Sequence, residues 1–154
     1  MIIETIVFDL GGVIFSLDGG GFKGREKLAR EVRIDSQKLH ESWFEIKEDI
    51  LCGRMTEDEY LIKIINIFNL GTSLAALKNY IRSLNIVDED MLKLVESLSK
   101  KYSVVALTNE VREWNEYRIS KFNLKNYFLF VLSSCDVGVA KPDICIYKIL
   151  LKKL

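Results

Sequence analysis

The sequence predicts an α/β fold, in which a Rossmann-like parallel sheet is interrupted by an inserted set of helices. An apolar run, Ile2 to Leu10, opens the chain, and a strand–helix–strand–helix order follows residue 88. Such an order implies parallel strands joined by right-handed crossovers. Only helical periods occur between these two parts. We therefore predict a three-layer core built from residues 1–16 and 88–154, with residues 17–87 inserted as a helical cap.

The first predicted strand is rich in β-branched and other apolar residues. It is broken by Gly11 and Gly12, which free the backbone to turn tightly. A continuous apolar run of this length is typical of a strand buried on both faces. We expect a fully buried strand over Ile2 to Leu10 that leads into a tight loop.

The predicted cap shows apolar residues that recur every three or four positions, the spacing of one face of a helix. Thr56 is followed three residues later by Glu59, which forms a capping box and predicts a helix that starts just after Met55. The stripes comprise Leu39, Trp43, Ile46 and Ile50; then Tyr60, Leu61, Ile64, Ile65 and Phe68; then Leu74, Leu77, Ile81 and Leu84.

The remainder of the chain alternates between helix and strand patterns. The predicted elements are a helix over 88–101, a strand over 103–107, a helix over 110–122, a strand over 127–133 and an amphipathic helix over 143–154. Pro142 suits the first turn of the last helix, where a missing N–H costs nothing.

Composition limits the possible partners and the compartment. The 154 residues contain 22 lysines and arginines against 22 aspartates and glutamates, so no net field attracts nucleic acid or an anionic membrane. We expect neither partner, and we find no signal peptide and no apolar run of membrane-spanning length. Three scattered cysteines without a CxxC pair favour reduced thiols in a cytoplasmic protein.

Polar side chains follow three successive core strands. Asp9 ends the first strand, Thr108 and Asn109 end the second, and Lys141 lies in the loop after the third. Each has an ordinary alternative, namely a turn aspartate, a helix cap or an exposed loop lysine. Because parallel strands end at the same edge of a sheet, where open α/β folds bind ligands, we expect the groups to converge there.

Asp9, Thr108 and Lys141 resemble motifs one, two and three of the haloacid dehalogenase (HAD) superfamily. The stretch Ser133-Ser134-Cys135-Asp136-Val137-Gly138-Val139-Ala140-Lys141-Pro142-Asp143 is similar to the phosphatase domain at the N-terminus of mammalian soluble epoxide hydrolase. The same is true of Cys52-Gly53-Arg54-Met55-Thr56 in the cap. The resemblance spans essentially the whole chain.

The resemblance implies a phosphatase that acts on a small phosphorylated metabolite. Asp9 would attack phosphorus to form an aspartyl-phosphate, and Lys141 would balance the negative charge. Magnesium would bind a carboxylate oxygen of Asp9 and the backbone carbonyl of Gly11. The implied phosphate-binding residues are Thr108, Asn109 and Gly12.

Two departures from the family pattern keep other functions open. Phosphatases of the superfamily commonly carry a second aspartate two residues after the nucleophile, where this chain has Gly11. A haloacid dehalogenase needs no such acid, and a truncated or degenerate protein without turnover would lack it as well. The chain also ends at Leu154, before the family's fourth, acidic motif. We therefore expect magnesium to be held weakly or not at all. We also expect the first strand to be left at an exposed edge of the sheet, which would allow self-association.

Overall fold

The computed structural model describes residues 2–16 and 21–154. Its sheet has three parallel strands in the order β1-β2-β3, namely β1 (Thr5–Phe8), β2 (Ser103–Thr108) and β3 (Val131–Ser133). Phe8 lies opposite Ala106, and Thr108 lies opposite Ser133. All three strands therefore end at one edge, and the predicted α/β fold with a parallel sheet is confirmed.

Eight α-helices accompany these strands in the described part of the chain. They are α1 (Gly21–Val32), α2 (Ser36–Leu51), α3 (Glu57–Ile67), α4 (Leu74–Ser83), α5 (Glu89–Ser99), α6 (Arg112–Lys121), α7 (Ser134–Val137) and α8 (Ile144–Lys153). Within residues 2–16 and 21–154, no helix is both long enough and apolar enough to cross a membrane.

The sheet separates two apolar layers, because successive side chains of a strand point to opposite faces. Val104 and Ala106 of β2 belong to a cluster that includes Leu92 and Val95 of α5. Val105 and Leu107 of β2 belong to a second cluster. It also contains Leu132 of β3 and Ile146 and Leu150 of α8. Helix, sheet and helix thus form three layers.

The first strand is shorter and more exposed than the sequence predicted. It covers Thr5–Phe8 rather than Ile2 to Leu10, and it pairs with β2 alone among the described strands. Ile2, Ile3 and Val7 are 87%, 68% and 43% exposed. The prediction of a fully buried strand is wrong, because β1 lies at the edge of the described sheet.

Helices α1 to α4 share their own apolar core, which includes Leu39, Ile50, Leu61 and Leu77. The predicted capping box is confirmed. Thr56 Oγ1 accepts from the Glu59 amide at 3.2 Å, the Glu59 carboxylate accepts from the Thr56 amide at 2.8 Å, and α3 begins at the next residue. We call α1 to α4 the cap. Its predicted boundary at residue 17 lies outside the described residues.

Two local predictions near the C-terminus need correction. The third strand covers Val131–Ser133 instead of 127–133, because a short 3₁₀ helix at Leu124–Asn126 leads into it with Phe128 buried. Pro142 lies before the last helix, not in its first turn. Asp143 is the N-cap, because its carboxylate accepts from the Cys145 amide at 2.8 Å.

The cap docks on the core at the end of α2. Ser134 donates its hydroxyl to the carbonyl of Leu51 at 2.6 Å. Gly53 has φ +72°, and a Cβ at this position would collide with the carbonyl oxygen of Cys135. The motif around Gly53 therefore requires glycine because the two backbones approach closely.

Candidate active site

The structure brings Asp9 and Lys141 together at the carboxyl edge of the sheet. Lys141 Nζ lies 2.7 Å from Asp9 Oδ2, and the same ammonium donates to the carbonyl of Leu107 at 2.9 Å. The Asp9 side chain is 42% exposed and that of Lys141 is 19% exposed. Asp9 Oδ1 also accepts from the amide of Leu10 at 2.8 Å. The carboxylate is thus oriented by two donors and still accessible to a ligand.

Asn109 holds the loop that carries Lys141. Its side-chain amide donates to the Lys141 carbonyl at 2.8 Å, and its side-chain oxygen accepts from the Lys141 amide at 2.7 Å. The resemblance implied that Asn109 would bind phosphate. Both ends of its side chain bind the backbone of Lys141, so that Asn109 positions the lysine opposite Asp9. Its predicted role in phosphate binding stays a prediction.

Thr108 and the loop that contains Gly11 and Gly12, which we call the glycine loop, complete the edge. Thr108 is the last residue of β2 and is 1% exposed. Gly12 has φ +78°, and its N–H donates to the carbonyl of Phe15 at 2.7 Å. This bond uses the Gly12 N–H within the loop, and the predicted role of Gly12 in phosphate binding stays a prediction.

The residues that the resemblance assigns to magnesium are oxygen donors of the kind this ion prefers. The carbonyls of Leu10 and Phe15 accept the hydrogen bonds of the glycine loop, and none of these bonds uses the carbonyl of Gly11. Asp9 adds one carboxylate. Residues 2–16 and 21–154 contain no cluster of three or more histidine, cysteine, aspartate or glutamate residues placed to hold a metal ion. The described donors therefore fit a magnesium ion that retains several water ligands.

A cavity of about 370 Å³ lies between the cap and the core, next to this edge. The core contributes Gly11, Asn109 and Glu110, and the cap contributes aromatic and basic side chains. Those residues of the cap are Arg25, Trp43, Phe44, Lys47 and Tyr60; Trp114 and Arg118 of α6 complete the walls. We call this space the cap cavity.

The core side of the cap cavity contains a buried ion pair. Arg118 contacts the carboxylate of Glu110, and its Nε donates to Asn85 Oδ1 at 2.6 Å. Glu110 also accepts from the amide of Val111 at 3.1 Å. Burial lowers the pKa of Arg118 to about 10, so that its charge persists at neutral pH. Both groups are thus already satisfied by the protein.

Sequence reasoning did not identify Arg25, Lys47, Glu110 or Arg118 as residues of a site. These side chains come from α1, α2, the β2–α6 loop and α6. A single basic or acidic residue on a helix gives no local signal that distinguishes a cavity wall from a solvated face. Trp43, which the sequence placed only in an apolar stripe of the cap, also lines the cavity.

The chain belongs to the haloacid dehalogenase-like hydrolases, because the model of that family matches residues 3–154. The protein is therefore a HAD-like hydrolase. A search of curated proteins found no match.

Solved structures share the fold at low sequence identity. A HAD family enzyme from Bacteroides thetaiotaomicron is 21% identical, with a TM-score of 0.81 over 98% of this chain and 78% of that chain. The same enzyme in complex with magnesium and inorganic phosphate gives 22% identity and a TM-score of 0.75, with the same two coverages. The L-2-haloacid dehalogenase of Xanthobacter autotrophicus, with chloropropionic acid covalently bound, is 16% identical; its TM-score is 0.66 over 99% of this chain and 65% of that chain.

Proposed function

We propose that this hydrolase is a magnesium-dependent phosphatase that acts on a small phosphorylated metabolite through an aspartyl-phosphate. The contact of 2.7 Å between Asp9 and Lys141 carries this proposal. A carboxylate that could act as nucleophile lies beside a cation at the carboxyl edge of a parallel sheet, the usual ligand edge of such folds. The complex of the Bacteroides enzyme with magnesium and inorganic phosphate supports this choice of ligand.

Asp9 attacks the phosphorus atom with a carboxylate oxygen. The new P–O bond forms as the bond to the leaving alcohol breaks, and water then hydrolyses the acyl phosphate and restores Asp9. Lys141 acts as a fixed positive charge that stabilises the anionic transition state. Thr108 is the proposed hydroxyl donor to the phosphoryl group.

Magnesium, held by the carboxylate of Asp9 and the carbonyl of Gly11, would supply Lewis-acid stabilisation of the phosphoryl oxygens. Because one carboxylate gives limited charge, we propose that the ion binds weakly to this chain.

The three free cysteines support a reducing compartment, and we propose the cytoplasm.

The second candidate is dehalogenation of a small haloacid. Gly11 favours it, since displacement of a halide by Asp9 requires no acid to protonate the leaving group. The Xanthobacter enzyme holds chloropropionic acid covalently bound, which is consistent with attack by a protein nucleophile. The two candidates share Asp9 and differ in the leaving group.

Purified protein assayed with para-nitrophenyl phosphate and magnesium, and in parallel with chloropropionic acid, separates the candidates. We expect phosphate release, and we expect Asp9→Asn to abolish it because an amide is a poor nucleophile. Asp90→Asn serves as the control, since the Asp90 side chain is 90% exposed and pairs with Lys93. Halide release alone would support the second candidate. A folded protein inactive in both assays would indicate a non-catalytic HAD-fold protein.

A further inference from the structure

We propose that Arg25 gives the cap cavity a second anion-binding group, and that the substrate is a phosphate ester whose leaving group carries a carboxylate. This inference rests on the proposed phosphatase function, because it concerns the leaving group at the same site. One guanidinium without a carboxylate partner among the described residues matches one carboxylate in charge and in its paired donor geometry.

The position of Arg25 is defined by two neighbours within the cap. Its Nε donates to His40 Nδ1 at 2.8 Å, and its guanidinium carbon lies 5.1 Å from the centre of the Trp43 ring. These contacts use the inner edge and one face of the guanidinium. No hydrogen bond or ion pair within residues 2–16 and 21–154 uses its two terminal nitrogens. A ligand in the cavity can therefore meet a preorganised pair of donors.

Arg25 is half-buried without a carboxylate partner among the described residues. Burial lowers the pKa of Arg25, and the phenol of Tyr60 is the acidic group that opposes this shift. Glu110, the carboxylate of the same cavity, is already paired with Arg118. A desolvated cation without a counter-ion is costly to the protein, and an anionic ligand would offset that cost.

Arg25 lines the same cavity as residues that lie next to the proposed phosphate site. Gly11 and Asn109 contribute to its walls on the core side, and Asn109 holds the loop of Lys141. Trp43 and Trp114 add apolar walls to this cavity, with their rings nearly parallel. A ligand that combines a phosphate, a flat or apolar part and a carboxylate matches this set of groups.

Two aryl phosphates of nearly equal shape test the carboxylate directly. One carries a para-carboxylate and the other a neutral para-carboxamide. We expect the protein to favour the carboxylate by roughly ten- to a hundredfold in kcat/KM, since a hydrogen-bonded charge contributes on that scale. The difference should lie mainly in KM, because Arg25 contacts the leaving group at a distance from the reacting phosphorus.

Arg25→Met should reduce this preference to about one, and Arg25→Lys should retain part of it because the charge remains while the paired donors are lost. Lys47→Met is the matched control. Lys47 is an exposed cation on the wall of the same cavity, 4.4 Å from the centre of the Phe44 ring. This variant should keep the preference of the unmodified protein.

Calorimetric titration with para-hydroxybenzoate and para-hydroxybenzamide separates this inference from the proposed function, because it needs no turnover. Tighter binding of the acid that is lost in Arg25→Met supports the inference even if no phosphatase activity is found. Equal binding of acid and amide by the unmodified protein overturns it. A preference that survives Arg25→Met, or disappears in Lys47→Met instead, also overturns it. If Arg25→Met fails to fold, the unmodified protein and Arg25→Lys still decide the result.

Discussion

Replacing Gly11 by aspartate should increase the phosphatase rate. A carboxyl group two residues after the nucleophile is the common general acid of phosphatases in this superfamily, and glycine cannot donate a proton. The structure leaves space for the change. A Cβ at Gly11 meets no heavy atom within 4 Å, and Gly11 is not among the glycines with positive φ.

The expected gain follows from the contribution of a positioned general acid, ~10² to 10⁴ in rate. This corresponds to about 2.7–5.4 kcal/mol of transition-state stabilisation. The free energy of unfolding should change by only ~0.5 kcal/mol, because the position is exposed and unstrained. A large loss of stability in Gly11→Asp would therefore contradict the geometry of the loop.

The assay compares an alkyl phosphate with para-nitrophenyl phosphate. An alkoxide needs a proton more than nitrophenolate does, so the gain should be larger for the alkyl ester. Gly11→Asn is the control, since it has the same shape and cannot act as the acid. If Gly11→Asp folds and cleaves the alkyl ester no faster than Gly11→Asn, the reasoning about the missing acid is refuted. Dehalogenation should not gain from the change.

Three further predictions concern stability and association. In urea unfolding, Gly53→Ala should destabilise the protein by ~1–3 kcal/mol more than Gly138→Ala. Both glycines have φ +72°, but of the two only Gly53 would bring an added Cβ into collision with a carbonyl of the core. Equal losses would show that the cap does not depend on this close approach. Burial lowers the pKa of His40 from its ordinary 6.5, and the nearby charge of Arg25 lowers it further. As the pH falls, His40 is therefore protonated in the unfolded state before it is protonated in the folded state. Stability should be full above pH 6.5 and should decline as the pH falls through the lowered pKa. His40→Gln should remove this step, and an unchanged pH profile in that variant would contradict it. The exposed edge of β1, where Val7 is 43% exposed, should make the protein associate with itself in sedimentation velocity. Val7→Lys should weaken that association, and a monomer at every concentration would argue against it.

Local patterns in the sequence were sufficient for most of the element types. The capping box of Thr56 and Glu59 depends on residues three apart, and its helix began where predicted. The approach of Asp9 to Lys141 could also be expected from the chain direction alone, since parallel strands end at a common edge. These inferences succeed because their causes lie within a few residues or follow from topology.

Other properties depend on partners that are distant in the chain. The exposure of β1 follows from its place in the strand order, and the role of Asn109 follows from a backbone 32 residues away. Helix packing places His40, 15 residues later, against the Nε of Arg25. Only this packing shows that the terminal nitrogens of Arg25 have no partner among the described residues. Sequence periodicity indicates which face of a helix is buried, but not which groups oppose it. The capping box, the strand ends and the helical stripes could therefore be predicted from the sequence alone, whereas the cap cavity and its charges arise only from packing in three dimensions.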